Sequence, residues 1–320
     1  MQNRLRLTCN EAAAGYLKAN QAIALVSAEI VPVSGRFIRS PVTRPNNSEW
    51  HDPEVLPSIK PMMDRLLERF RSADRVELYI DPDPNSQLLM IYLLSQAIRA
   101  HINPSNLLVF QSIAPWGQQD AHTPIDAIAS SMHVAEPHLM AAANIWAAYT
   151  AATPQAWLRL GHQDLALFPL MNQTREVLLE DLPSADTGLG SCERLVLETV
   201  ATGGSTVAEV ARAFAKDPCH LIDLPQIIDL MTALSTGASP IIEGLKGRLG
   251  ADDFHADADS WEAYVGSQLR LTDDGHKINS GELDFVKARG INRWWGGTRL
   301  EGHTAWRWDR NISALIPPEC

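Results

Sequence analysis

The first 111 residues alternate short apolar runs with amphipathic stretches, and this alternation limits the fold more than any other feature of the chain. Leu5 to Cys9 reads as a short buried strand, and Asn10-Glu11-Ala12-Ala13-Ala14-Gly15-Tyr16-Leu17-Lys18 opens a helix at once. Ile23 to Val33 supplies a second strand. Pro61 to Phe70 reads as a helix with Met62, Met63, Leu66, Leu67 and Phe70 at helical spacing, and Arg75 to Ile80 as a third strand. Asp81-Pro82-Asp83-Pro84-Asn85 interrupts the chain, because its prolines stop both strand and helix. Ser86 to Ala100 then resumes as a helix that is apolar nearly all round, and Asn106 to Gln111 is a fourth strand. Such alternation predicts an α/β domain built on a mostly parallel, Rossmann-like sheet. In sheets of that kind, ligands sit beyond the carboxyl ends of the strands.

A chain of 320 residues suits two domains, here expected as 1–150 for the α/β part and 151–320 for the rest. The formal net charge of −11 lies mostly in the second part. A field of that sign repels phosphate backbones and argues against nucleic acid as a partner. Cys9, Cys192, Cys219 and Cys320 are scattered without a CxxC pair and read as free thiols of a reducing compartment. No apolar run is long enough for a membrane span, and the first residues lack the pattern of a secretory signal, so a cytoplasmic protein without a membrane partner is expected.

The expected strand ends gather polar groups. Asn10, Glu11, Asp81, Asp83 and Gln87 form the candidate pocket, where neighbouring carboxylates could hold a hard metal ion or act as general acid and base. Asp81-Pro82-Asp83-Pro84 is equally an ordinary turn sequence, with Asp starting the turn and Pro fixing φ. His122, Asp126, His133 and His138 follow without metal-ligand spacing and read as surface or cap residues, so no metal and no cofactor is assigned. Leu139 to Tyr149 begins a helix expected to bridge to the second domain.

From Thr187 onward the pattern predicts an α+β domain resembling a winged helix. Ser191 to Val200 is a helix capped by Ser191 with Glu193 and Arg194 facing water, and Gly203-Gly204-Ser205-Thr206 breaks it. Thr206 to Phe214 and Leu224 to Ser235 supply two more helices. Pro240-Ile241-Ile242 and Leu269 to Ile278 are expected as the arms of a wing. The third helix has no basic residue and offers only Gln226 and Thr232 as base readers, which disfavours duplex recognition. At the end, Gly290-Ile291-Asn292-Arg293-Trp294-Trp295-Gly296-Gly297-Thr298-Arg299-Leu300 runs on to Trp306-Arg307-Trp308-Asp309. Four tryptophans among arginines predict a hairpin that closes the domain. Arg293, Trp294, Trp295, Trp306 and Arg307 make up a candidate interaction surface.

Together these stretches resemble the bacterial proteins that carry a DUF1835 domain followed by a DUF3658-like region. In those relatives the first strand ends in Gly-Asp-Ser-Ala-Ala-Gly, where Asn10 to Gly15 stand here. The second is followed by an acidic residue and a Glu-Gly-Pro step, replaced here by Val31-Pro32-Val33-Ser34-Gly35-Arg36-Phe37-Ile38-Arg39-Ser40-Pro41. The third leads to Glu-His-Asp-x-x-Asp-Gln-Leu, matched here by Asp81, Asp83, Gln87 and Leu88, with Pro82 and Ser86 in place of the histidine and second aspartate. Gly188-Leu189 and Glu193-Arg194-Leu195-Val196-Leu197 are similar to the start of the family's second domain. These departures point to a non-enzymatic binding or interaction protein, a subunit or regulator with a degenerate strand-end pocket. Its expected partner is a protein or a second copy, with a small-molecule ligand as a further option. The alternatives are a metal- or acid/base-dependent hydrolase or transferase on a phosphorylated or nucleotide-like ligand and, third, a winged-helix DNA-binding regulator.

Overall fold

The computed structural model describes residues 3–23, 28–33, 35–42, 55–203, 206–216, 221–247 and 258–319, with backbone alone at 55–63 and 258. Ser34, Gly204, Ser205, Cys219, Cys320, residues 24–27 of the expected second strand and the side chains of Met62 and Met63 lie outside the described residues. The chain divides into two compact units, Met1–Arg175 with Trp294–Thr298, and Glu176–Arg293 with Arg299–Cys320. Residues 151–175 thus belong to the first.

The first unit is α/β. Its elements run β1 (Arg4–Thr8), α1 (Glu11–Ile23), β2 (Glu29–Pro32), α2 (Val55–Ser72), β3 (Arg75–Ile80), α3 (Pro84–Arg99), β4 (Leu107–Ser112), α4 (Ile125–Ile128), β5 (Ala129–His133) and α5 (Glu136–Tyr149). They form one sheet of order β2-β1-β3-β4-β5, in which the first four strands are parallel. β5 joins β4 antiparallel, with Phe110 opposite Ser131. The register sorts side chains by face. Leu5 and Leu7 stand beside Val76 and Leu78, which stand beside Leu107 and Val109, and all six are buried. The opposite face is more polar. There Glu77, 3% exposed, takes Arg6 and Arg75 at 2.9 Å each and accepts from the Tyr79 hydroxyl at 3.0 Å, so its buried charge is fully partnered.

The expected strands and helices form with three local changes. Among the described residues the second strand covers only Glu29–Pro32, and Ile23, expected to open it, is instead the last residue of α1, because the helix-favouring Ala19, Gln21 and Ala22 carry that helix on. Pro84 does not stop a helix but starts one. Asp83 is the N-cap of α3, and proline is suited to the first turn because that turn has amides to spare. α5 packs along α3 inside the first unit, so it is not a bridge to a second domain. Two short helices, α6 (Gln155–Leu158) and α7 (His162–Ala166), complete the run, and α8 (Met171–Glu180) crosses the boundary between units.

Residues 294–298 finish the core of this unit. The Trp295 ring lies 5.6 Å from Tyr149 and 6.2 Å from Trp157, which itself sits 5.2 Å from Tyr149. The last carbonyls of a helix lack partners of their own, and here Gly297 N–H donates to Tyr149 O at 3.0 Å while Thr298 Oγ1 donates to Ala151 O at 3.3 Å. Gly296 has φ +53°, and a Cβ on Gly297 would come within 2.0 Å of Thr150 O. Only glycine lets the turn approach that closely.

The second unit holds α9 (Ser191–Ala201), α10 (Val207–Lys216), α11 (Leu224–Ser235), β6 (Ile242–Glu243), α12 (Ala258–Val265), β7 (Arg270–Leu271), α13 (Asp273–Ser280), α14 (Phe285–Arg289), β8 (Ile291–Trp295), β9 (Thr298–Gly302), β10 (Arg307–Asp309) and β11 (Ala314–Ile316), apart from the residues at 294–298. The strands pair as β6-β7, β8-β9 and β10-β11. Val196, Val210, Ile228, Met231 and Ile278 make its core. Three expectations are corrected. The second wing arm is strand only at Arg270–Leu271, because Thr272 Oγ1 accepts from Gly275 N–H at 3.1 Å and starts α13 instead. Gly190, not Ser191, is the N-cap of α9. Glu193 does not face water but is 5% exposed, turned toward Arg293. No helix among the described residues is long and apolar enough to cross a membrane.

Candidate functional site

In the strand order, β1 lies between β2 and β3, so the chain reverses its direction of travel across the sheet there. The carboxyl ends of β1 and β3 flank the crevice where doubly wound sheets take ligands. Asn10 and Asp81 occupy these two ends. Asn10 caps α1 by accepting from Ala13 N–H at 2.8 Å, and its amide donates to Asp81 Oδ2 at 2.8 Å. The crevice is therefore bridged by the chain itself.

It is also filled. After β4 a 3-10 turn, Trp116–Gln118, brings Trp116 onto the same spot. The Trp116 backbone N–H donates to Asp81 Oδ1 at 2.7 Å, and its indole N–H donates to Ile80 O at 3.2 Å. The ring is fully buried, 5.2 Å from Tyr79 in an edge arrangement and 5.5 Å from Tyr16. At Gly117 a Cβ would meet the Ala12 Cβ at 2.5 Å, so the turn lies directly on the first turn of α1.

Each remaining candidate has a structural task or stands apart. Asp83 accepts from Ser86 N–H at 3.0 Å and Ser86 Oγ at 2.6 Å. Gln87 is fully buried. It donates to Asp81 O at 2.7 Å and accepts from the Gln111 amide at 2.6 Å. Glu11 is exposed on the first turn of α1, where its charge suits the helix dipole. It shares the sheet edge with Asp81 without converging on it. The loop after β2 is tied down as well, since Asn85 donates to Gly35 O at 2.8 Å and accepts from Phe37 N–H at 2.9 Å.

The electrostatics follow from burial. Loss of water pushes the Asp81 carboxyl above its usual range, against the hydrogen bonds from Trp116, Cys9 and Asn10, and the Asp83 charge adds to the rise. The neighbouring Cys9 thiol is pushed well up by burial and then by the Asp81 charge, which keeps it protonated and unreactive. His138 Nδ1 accepts from Ala135 N–H at 3.1 Å as a helix-start cap, and His122 and His133 are exposed. Among the described residues, no three His, Cys, Asp or Glu side chains gather as a metal site.

At the Trp- and Arg-rich end the arginines are engaged by carboxylates of the second unit. Arg293 reaches Asp181 Oδ2 at 3.1 Å, also bonds the Asp181 carbonyl, and has Glu193 at 3.9 Å. Arg307 grips Asp284 with bonds of 2.6 and 2.9 Å. Burial would raise the Asp284 carboxyl, but the Arg307 bonds and the Lys287 N–H hold it below the usual range. Trp308 donates to Glu180 Oε1 at 3.1 Å, beside Arg310 at 2.8 Å. Trp295 is buried, while Trp294 and Trp306 are half-buried. Trp116, Asn85, Asp181 and Asp284 were not singled out by the sequence pattern. The only local signal for Trp116 was the Pro-Trp-Gly step soon after an apolar strand. No protein-family model matches the chain, and no curated protein matches it.

Proposed function

We propose that this chain is a non-enzymatic binding or interaction protein, a subunit or regulator, whose strand-end crevice has become an internal joint. Trp116 carries this reading. Its indole fills the place where a doubly wound sheet would hold a ligand, and its backbone N–H takes the carboxylate best placed for chemistry. With Asn10 on the other oxygen, Asp81 meets protein donors on both sides, and Asp83 is engaged as a helix cap.

The resemblance to DUF1835 proteins fits this reading as a degenerate member, since Pro82 and Ser86 stand where the family has a histidine and an aspartate, and Ser86 bonds the helix cap Asp83. The second unit serves as a winged-helix-like packing module. Gln226, the main candidate for base reading on α11, is used in a reciprocal capping box with Asp223. Cys9 and Cys192, both buried, suit a reducing, cytoplasmic setting.

Thermal melts with magnesium, manganese and inorganic phosphate test the proposal. Unchanged melting temperatures are expected, because a ligand that binds only the native state would raise them by mass action. A metal-dependent rise that disappears in both Asp81→Asn and Asp83→Asn would show a working site and overturn it.

A further inference from the structure

The two edges of the sheet differ. At β2, Glu29 pairs with Arg69, and Pro32 has no backbone donor. Charge and proline both discourage a further strand from pairing there. β5 has neither safeguard. Ala129-Ser130-Ser131-Met132-His133 contains no carboxylate, ammonium, guanidinium or proline, and Ser130, Ser131 and His133 are exposed.

The hydrogen-bond phase shows which groups face outward. Val134 N–H donates to Leu107 O at 3.1 Å, so in the β4–β5 register Met132 and Ser130 exchange ladder bonds with Val109 and Gln111. Ser131 and His133 turn their N–H and C=O away from the sheet. Among the described residues, neither makes another hydrogen bond.

We propose that β5 pairs antiparallel with the β5 of a second copy of this chain, joining two five-stranded sheets into one. With a twofold axis at Ser131, each Ser131 N–H donates to the Ser131 carbonyl of the other copy, and each His133 N–H donates to the other Ala129 carbonyl. The Ala129 N–H is already used, donating to Ile125 O. The facing side chains are Ser131 with Ser131, Ser130 with Met132, and Ala129 with His133. No like charges are opposed, and the seam is self-complementary, as an isologous contact requires. This commits the interaction role proposed above to one partner, a second copy. The short seam makes the dimer weak and concentration-dependent. Each copy carries −11, so salt strengthens the association by screening.

Light scattering on the full chain across a concentration series tests this. The mass is expected to climb from 35.2 kDa toward twice that, more steeply at higher salt. Ser131→Pro should stay monomeric with an unchanged melting temperature, since the N–H it removes is not part of the β4 ladder. Ser131→Lys should do the same and replaces the proline variant if that one fails to fold. In the wild type, amide exchange at Ser131 and His133 should slow as concentration rises. A wild type that stays monomeric at its highest soluble concentration would overturn the proposal. So would a dimer that survives the Ser131 substitutions, or exchange at these amides that ignores concentration. The two proposals fail separately: a metal-dependent melting shift refutes the interaction reading while leaving the β5 dimer standing, and a monomer without ligand binding does the reverse.

Discussion

Replacing Trp295 with alanine removes the more deeply buried of the two tryptophans that residues 294–298 bring to the first unit. It is 2% exposed, with Tyr149 at 5.6 Å and Trp157 at 6.2 Å. A buried tryptophan removes about 200 Å² from water, which at about 25 cal/mol per Å² corresponds to about 5 kcal/mol as an upper estimate. Partial collapse of the hole brings this into the usual range for Trp→Ala of about 3–5 kcal/mol. For a unit of this size, each kcal/mol moves the melting temperature by about 2–4 °C, so a fall of roughly 6–20 °C is expected. Calorimetry and near-ultraviolet circular dichroism on Trp295→Ala would measure it. Trp295→Phe should lose about half as much, and half-buried Trp294→Ala less than Trp295→Ala. A loss under about 1 kcal/mol for Trp295→Ala would refute its place in the core, because only surface positions are that tolerant.

Asp81 titrates above its usual range in the native state, so its contribution to stability is fully present below the unfolded value near pH 4 and is lost as pH rises through the native value. The stability of the wild type relative to Asp81→Asn should therefore grow as pH falls from 7 toward 4 in chemical denaturation, and a constant difference would contradict this. Asp284 is held low and has the opposite sign. Its contribution is present above about pH 4 and lost as pH falls through the native value, so Asp284→Asn should cost about 1.5–3 kcal/mol at pH 7 and progressively less in acid. Gly297→Ala should destabilise by about 1–3 kcal/mol, because its Cβ would overlap Thr150 O. Gly15→Ala has open space on α1 and should stabilise by about 0.5–1 kcal/mol, and equal effects at the two glycines would refute the close approach at 297.

The four parallel strands could be read from the sequence because each is a local apolar run, and the register then follows from burying Leu5, Leu7, Val76, Leu78, Leu107 and Val109 on one face. β5 could not. Ala-Ser-Ser-Met-His shows no alternation, since an edge strand facing water needs none. Asn10 and Asp81 do follow β1 and β3, but what the candidate residues do depends on distant partners. Asp81 faces a backbone N–H from Trp116, and Glu193 looked solvent-facing because Arg293 lies 100 residues further on. The caps divided the same way. Asp83-Pro84 is a helix start that reads locally, whereas α9 begins at Gly190 without a side-chain cap and leaves Ser191 merely the next residue.

The discontinuity of the first unit has a consequence in time. Its sheet and helices are encoded by residue 175, but Trp294–Thr298 leave the ribosome only after some 120 further residues. At synthesis rates of about 5–20 residues per second, that is a delay of roughly 6–25 s. Until it ends, Tyr149 and Trp157 lack their third ring, and the Tyr149 carbonyl lacks the Gly297 amide. The nascent chain must carry that aromatic surface uncovered, a natural target for chaperones. Any message truncated between codons 175 and 294 would yield a first unit that cannot complete its core.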